Sequence, residues 1–216
     1  MEIWLDTCDS QKIIAACRLG IISGITTNPS ILARSNENHE KVIERLLDIQ
    51  DGPVAVQVTA DTADEMIKQA QDFQSISERI IVKIPVIQEG IIAMKALVEE
   101  GISVMATTLF QLGQALLAAL AGADYVAPYV SRIFEEGIEA YADLEMMLKV
   151  YKKYQFKTKI IAAALRTSDQ IIRCAAMGIP AMTLKSELFS EFTANNHATL
   201  NSLTAFKKEW AEGQSI

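Results

Sequence analysis

The sequence predicts an α/β fold, a closed (β/α)8 barrel of the TIM type with an extra C-terminal helix, on three observations. Short runs rich in Ile and Val alternate with longer segments of helical periodicity along the whole chain, the pattern of parallel strands joined by crossover helices. Eight such runs can be read, the number a closed barrel needs. An open nucleotide-binding sheet would carry GxGxxG after its first strand or GxxxxGK before Ser or Thr, and neither is present. At 216 residues the chain is short for a barrel, so one domain over 1–216 with short loops is expected, positions 197–216 forming the helical extension.

Taken in order, the strands fall near Ile3–Asp6, Gly24–Thr26, Val54–Val58, Ile80–Ile84, Ser103–Thr107, Tyr125–Ala127, Ile160–Ala164 and Ala181–Leu184. Each is a short run rich in apolar residues, the length of a strand rather than of a helix. Between them Thr62–Asp72, Ile91–Glu99, Leu112–Leu120 and Ser168–Met177 are too long for hairpin turns and read as crossover helices. Gly20, Gly101, Gly122 and Gly178 stand where a helix ends and a strand follows, the left-handed position that glycine takes without a Cβ clash. Leu203, Phe206 and Trp210 share a face of the last helix, Leu200–Trp210, and such a face must be covered by the barrel or by a neighbouring subunit.

Half of the residues are apolar and 22% are charged, ordinary globular usage that excludes a disordered chain. A net charge of -7 offers no footprint for nucleic acid and opposes anionic membranes, yet permits a small basic pocket. Met1 to Asp6 has no basic segment before an apolar one, so no secretory signal is expected, and no apolar stretch reaches the length of a membrane span. Cys8, Cys17 and Cys174 lack CxxC spacing, which points to a reducing, cytoplasmic setting rather than to disulfides or zinc. His39 and His197 are isolated and make neither a triad nor a metal site. The eight methionines read as core filler.

A barrel of this kind builds its site from the C-terminal ends of its strands, and here those ends are polar. Lys83 stands alone within Ile80-Ile81-Val82-Lys83-Ile84-Pro85-Val86. Enclosure in a parallel sheet disfavours an ammonium, and a neutral amine is the nucleophile that imine formation requires. The alternatives are a structural ion pair with Asp6 or a stem that reaches the barrel rim. Lys185, just past strand eight and followed by Ser186-Glu187, is a rival amine that reads better as an exposed lysine at a helix start. Asp6 ends strand one as an acid/base group, as a support for Lys83, or as a helix cap, although Thr7 and Asp9 can do the capping. Gln57 orients a water or satisfies a backbone neighbour. Thr26-Thr27-Asn28-Pro29-Ser30 is first a turn with proline at the first helical position, and second a substrate contact. Arg132 and Arg166, each just beyond a strand, either clamp a phosphate or lie solvated at the surface.

These residues carry a resemblance. The chain resembles the transaldolase family, and within it the small fructose-6-phosphate aldolase subgroup, through Leu5-Asp6-Thr7, Gly24-Ile25-Thr26-Thr27-Asn28-Pro29-Ser30, Val82-Lys83-Ile84-Pro85, Ala106-Thr107 and Tyr125 to Arg132. The resemblance implies that Lys83 forms an imine with a ketose, that Asp6 and Asn28 contact its dihydroxyacetone part, and that Thr107 with Gln57 positions the catalytic water. Transaldolases carry Glu where Gln57 stands and Phe where Tyr129 stands, so the aldolase is implied, with Tyr129 as the acid/base group. The imine nitrogen serves as electron sink, so no metal or other cofactor is implied. The family's phosphate-binding serine is Ala164 here, and Phe134-Glu135-Glu136-Gly137 departs from its usual Asp- and Gly-containing segment. The expectation is that Arg132 and Arg166 bind phosphate with a weakened preference. The family also implies a homo-oligomer, a pentamer or a decamer, in which the C-terminal helix reaches a neighbour.

Overall fold

A computed structural model describes residues 1–213. Eight parallel strands close into a barrel in chain order: β1 (Glu2–Asp6), β2 (Ile22–Thr26), β3 (Val54–Gln57), β4 (Ile80–Pro85), β5 (Val104–Leu109), β6 (Tyr125–Pro128), β7 (Lys159–Ala162) and β8 (Ala181–Lys185), with β8 pairing back onto β1. Between and after them run α1 (Ser10–Cys17), α2 (Pro29–Arg34), α3 (His39–Asp48), α4 (Ala63–Ile76), α5 (Gln88–Glu99), α6 (Leu112–Ala121), α7 (Val130–Glu135), α8 (Ala140–Tyr154), α9 (Ser168–Ala176), α10 (Ser186–Phe192) and α11 (His197–Gly213). This is the (β/α)8 TIM barrel with an extra C-terminal helix. The four junction glycines, Gly20, Gly101, Gly122 and Gly178, all adopt positive φ. Among the described residues no helix is long and apolar enough to cross a membrane.

Alternation along the strands builds two cores. Leu5, Ile25, Val56, Ile84, Ala106, Val126 and Leu184 face outward and pack with the helices in one large cluster. Trp4, Ala55, Ile81, Met105, Ala127, Ile161 and Ala181 face inward and fill the barrel as a second cluster. Each of these side chains contributes about 1.5–3 kcal/mol when fully buried if it is large, and less if it is Ala. Gly24 is required beside Trp4: a Cβ there would lie 2.8 Å from the indole ring and 2.7 Å from the Pro53 carbonyl.

Because side chains repeat with period two, the residues two places beyond the inward cluster also face the barrel axis, at its C-terminal mouth. They are Asp6, Gln57, Lys83, Thr107, Tyr129 and Thr183, with Thr26 two places beyond Gly24. Two C-terminal strand ends lie two residues from the expected position. Strand β5 runs on to Leu109, and its register against β6 slips between Ala106 and Leu109. The extra residue is a bulge with Thr108 at φ 61, a left-handed conformation that a β-branched residue rarely adopts. The bulge resets the alternation, so that Thr107 follows Met105 inward while Leu109 joins the outer core. Strand β7 ends at Ala162 rather than Ala164, because Ala164 turns into the left-handed region at φ 57 and ends the ladder.

The extra helix α11 follows β8 and α10 and buries none of its described residues; Leu203, Phe206 and Trp210 are 48%, 62% and 71% exposed. The barrel therefore does not cover its apolar face. Residues 214–216 of the expected extension lie outside the described residues.

Candidate active site

At the C-terminal mouth of the barrel lies a cleft of about 1220 Å³ whose lining includes Asp6, Thr26, Asn28, Gln57, Lys83, Tyr129, Arg132, Ala164 and Arg166. Lys83 sits at its base. It is 5% exposed, and its Nζ donates to the Thr27 carbonyl at 2.6 Å. The residues on either side of it in the ladder are Gln57 on β3 and Met105 on β5. Among the described residues it forms no ion pair, so the pairing with Asp6 weighed in the sequence does not occur. A buried amine held by one backbone carbonyl keeps its remaining positions for a ligand.

Asp6 is free of capping duties. Asp9 caps α1 through its carboxylate, which accepts from the Gln11 and Lys12 amides, and the Thr7 hydroxyl accepts from the Asp9 amide. Asp6 Oδ1 instead accepts the Thr26 hydroxyl at 2.9 Å, and the Thr26 and Thr183 hydroxyls lie 2.6 Å apart. Thr26 is thus a bridge that fixes the Asp6 carboxylate and has little hydrogen-bonding capacity left for a substrate. Asn28 is the N-cap of α2: its Oδ1 accepts from Ile31 at 3.0 Å with Pro29 in the first turn. Its amide nitrogen has no protein partner among the described residues while the residue lines the cleft.

Across the mouth, Tyr129 is held from three sides. Its hydroxyl lies 3.2 Å from Thr107 Oγ1, the Phe110 ring meets it edge-on at 5.7 Å, and the Arg132 guanidinium stacks 4.8 Å above its face. Thr107 is fully buried and reaches the cleft through this phenol. Gln57 is half-buried at the end of β3.

The remaining expected residues lie at the rim. Arg166 is exposed and ion-paired to Glu135, and its backbone N–H donates to Gln170 Oε1 at 2.7 Å. Ala164 lines the cleft without a polar side chain. Lys185, the rival amine, is exposed at the start of α10. Three members of the site escape a reading of the sequence. Thr183 could have been found by extending the period-two alternation to β8. The Phe110 contact depends on the bulge and the Glu135–Arg166 pair on a meeting of α7 with the loop after β7, and neither leaves a local signal.

Chemically, the mouth brings together a buried amine, a phenol backed by a hydroxyl, a carboxylate fixed by a threonine and an amide. That is a nucleophile with proton-transfer groups around it. A profile of the family described as Transaldolase/Fructose-6-phosphate aldolase matches residues 3–215. The chain is similar to a probable transaldolase of Dictyoglomus turgidum, 39% identical over 213 residues that make up 97% of this chain and 98% of the relative. It is also similar to a probable transaldolase of Streptococcus pyogenes, 36% identical over 211 residues covering 98% of each. With the match running over nearly the whole barrel, the chain belongs to the transaldolase/fructose-6-phosphate aldolase family.

Proposed function

We propose that the protein is a class I, Schiff-base aldolase that reversibly cleaves fructose 6-phosphate or a similar ketose to dihydroxyacetone and glyceraldehyde 3-phosphate or another aldehyde. It works in the cytoplasm as a homo-oligomer. The observation that carries the reading is Lys83, a nearly enclosed amine on an apolar strand whose one hydrogen bond among the described residues is to the Thr27 carbonyl, at the base of the cleft.

In this reading the Lys83 amine adds to the ketose carbonyl at C2 and water is lost, giving an iminium ion. Tyr129 takes the proton of the C4 hydroxyl as its own proton passes to a water held by Gln57. The C3–C4 bond then breaks, the aldehyde departs, and the bonding pair moves onto the imine nitrogen as an enamine. Protonation at C3 and hydrolysis release dihydroxyacetone and restore the amine. Asp6, held by Thr26, and the spare amide hydrogens of Asn28 bind the hydroxyls of the dihydroxyacetone part. Arg132 lies at the distal end of the substrate.

A second reading, a transaldolase that keeps the dihydroxyacetone unit on Lys83 until an aldose phosphate accepts it, is favoured by the names of the relatives. The phenol at Tyr129, bonded to Thr107, and the uncharged Gln57 favour the lyase, because together they hold a water and relay a proton to the enamine without an acceptor. Release of free dihydroxyacetone from fructose or fructose 6-phosphate with no acceptor tests the choice. Release at enzymic rates supports the lyase; turnover only when an aldose phosphate is added overturns it in favour of the transferase.

A further inference from the structure

At the mouth of the barrel Lys12, Arg45 and Arg166 are matched by carboxylates of the same chain, while Arg34, Arg132 and Lys185 form no ion pair among the described residues. Lys12 meets Glu187 at 2.5 Å and Arg45 meets Glu37 at 2.5 Å, on the side of β1 and β2. On the opposite side, beyond β6 and β7, Arg166 is paired with Glu135, which lies in the last turn of α7. Three other features there reduce the capacity to bind an anion. The Arg166 backbone N–H is taken by Gln170 Oε1 at 2.7 Å, and the Gln170 N–H by the Thr167 hydroxyl at 3.2 Å. The Gln170 amide is itself tied to Ser131 at 3.1 Å. Ala164, in its left-handed turn at φ 57, supplies no hydroxyl. What remains on that side is Arg132, which lies on the Tyr129 ring and has no carboxylate partner among the described residues.

A phosphate dianion is recognised by donors that have no acceptor of their own. To bind Arg166 such an ion would have to displace Glu135 and then lie beside the displaced carboxylate. A neutral polyol chain needs neither step, and the hydroxyls of such a chain can bridge the pair as it stands.

We propose that Glu135 is a specificity-determining residue, a resident anion that occupies Arg166 and selects for ketoses and aldehydes that carry no phosphate. The proposal rests on the reading of the cleft as a ketose site. It is tested by trapping the Lys83 imine with borohydride over a range of fructose and of fructose 6-phosphate concentrations, in the wild type, in Glu135→Gln and in Glu136→Gln. Trapping occurs in an aldolase and in a transaldolase alike, so the result does not depend on which of the two is right. The quantity read is the ratio of the half-saturating concentrations of the two ketoses. The expected result is a shift of about fivefold or more toward fructose 6-phosphate in Glu135→Gln. Glu136→Gln removes the same charge from an exposed neighbour that has no cation partner among the described residues, and is expected to move the ratio by less than about twofold. Equal ratios in all three proteins, or the same shift in both variants, would overturn the role of Glu135. Absence of an adduct with either ketose would overturn the ketose site itself and this proposal with it.

Discussion

The two ends of the barrel both hold polar side chains, and they treat them in opposite ways. At the N-terminal floor the Glu2 carboxylate accepts from Lys159 Nζ at 2.6 Å, Trp4 Nε1 at 3.0 Å and the Tyr125 hydroxyl at 3.0 Å, so every member is partnered within the cluster. The Trp4 and Tyr125 rings meet edge-on at 5.6 Å directly above it. At the C-terminal mouth Lys83 is more deeply buried than Glu2 but has one backbone carbonyl for company. Gln57 has no side-chain partner among the described residues. A polar group whose bonds are complete plugs a barrel; one whose bonds are incomplete waits for a ligand.

Substitutions at the two ends should therefore separate activity from stability. The largest effect is expected for Lys83→Met, which should abolish the borohydride adduct and turnover while leaving Tm unchanged or raised, since an apolar chain replaces an amine without a charged partner. Tyr129→Phe should still form the adduct but turn over about a hundredfold more slowly or worse, the scale of one lost acid/base group. A small effect there would move the proton relay to another group. Glu2→Gln should leave the kinetics intact and cost about 1–2 kcal/mol in denaturant unfolding, because three charge-assisted bonds weaken together.

The floor also sets a pH window. Burial pushes the Glu2 carboxyl up, but the bonds from Lys159, Trp4 and Tyr125 pull it down by more, leaving it below its ordinary 4.5. A depressed carboxyl stabilises the fold above its ordinary value, and that contribution is lost as pH falls through the folded value. Burial first and the Glu2 bond second push the Tyr125 phenol up to about 12. A raised phenol stabilises below its ordinary value and loses that contribution as pH rises toward 12. Thermal melts across pH should show the acid limb flattened in Glu2→Gln and the alkaline limb reduced but kept by the burial of Tyr125.

The mouth was more legible in the sequence than the floor, and the reason is physical. Lys83, Gln57 and Asp6 each interrupt or end an apolar strand, a contrast visible within five residues. The floor residues Glu2, Tyr125 and Lys159 sit at the starts of strands, where polar residues are ordinary, and only closure of the barrel brings positions 2, 125 and 159 together. The contact of Thr183 with Thr26, 157 residues away, is hidden for the same reason, although its inward position follows from the alternation of β8. The ends of β5 and β7 were misplaced because Thr108 and Ala164 adopt left-handed conformations that their side chains do not announce. The apolar face of α11 was legible, and its exposure on the single chain leaves the neighbouring subunit as the expected cover. Sedimentation as a pentamer or decamer would agree, and a monomer would contradict it.

The central claim is that incomplete bonding marks Lys83 as the reacting amine. It is tested most directly by mapping the peptide modified when the wild-type enzyme is reduced with borohydride in the presence of fructose. The account predicts a single adduct on Lys83. An adduct on Lys185 at the rim, or modification spread over exposed lysines with Lys83 untouched, would contradict it.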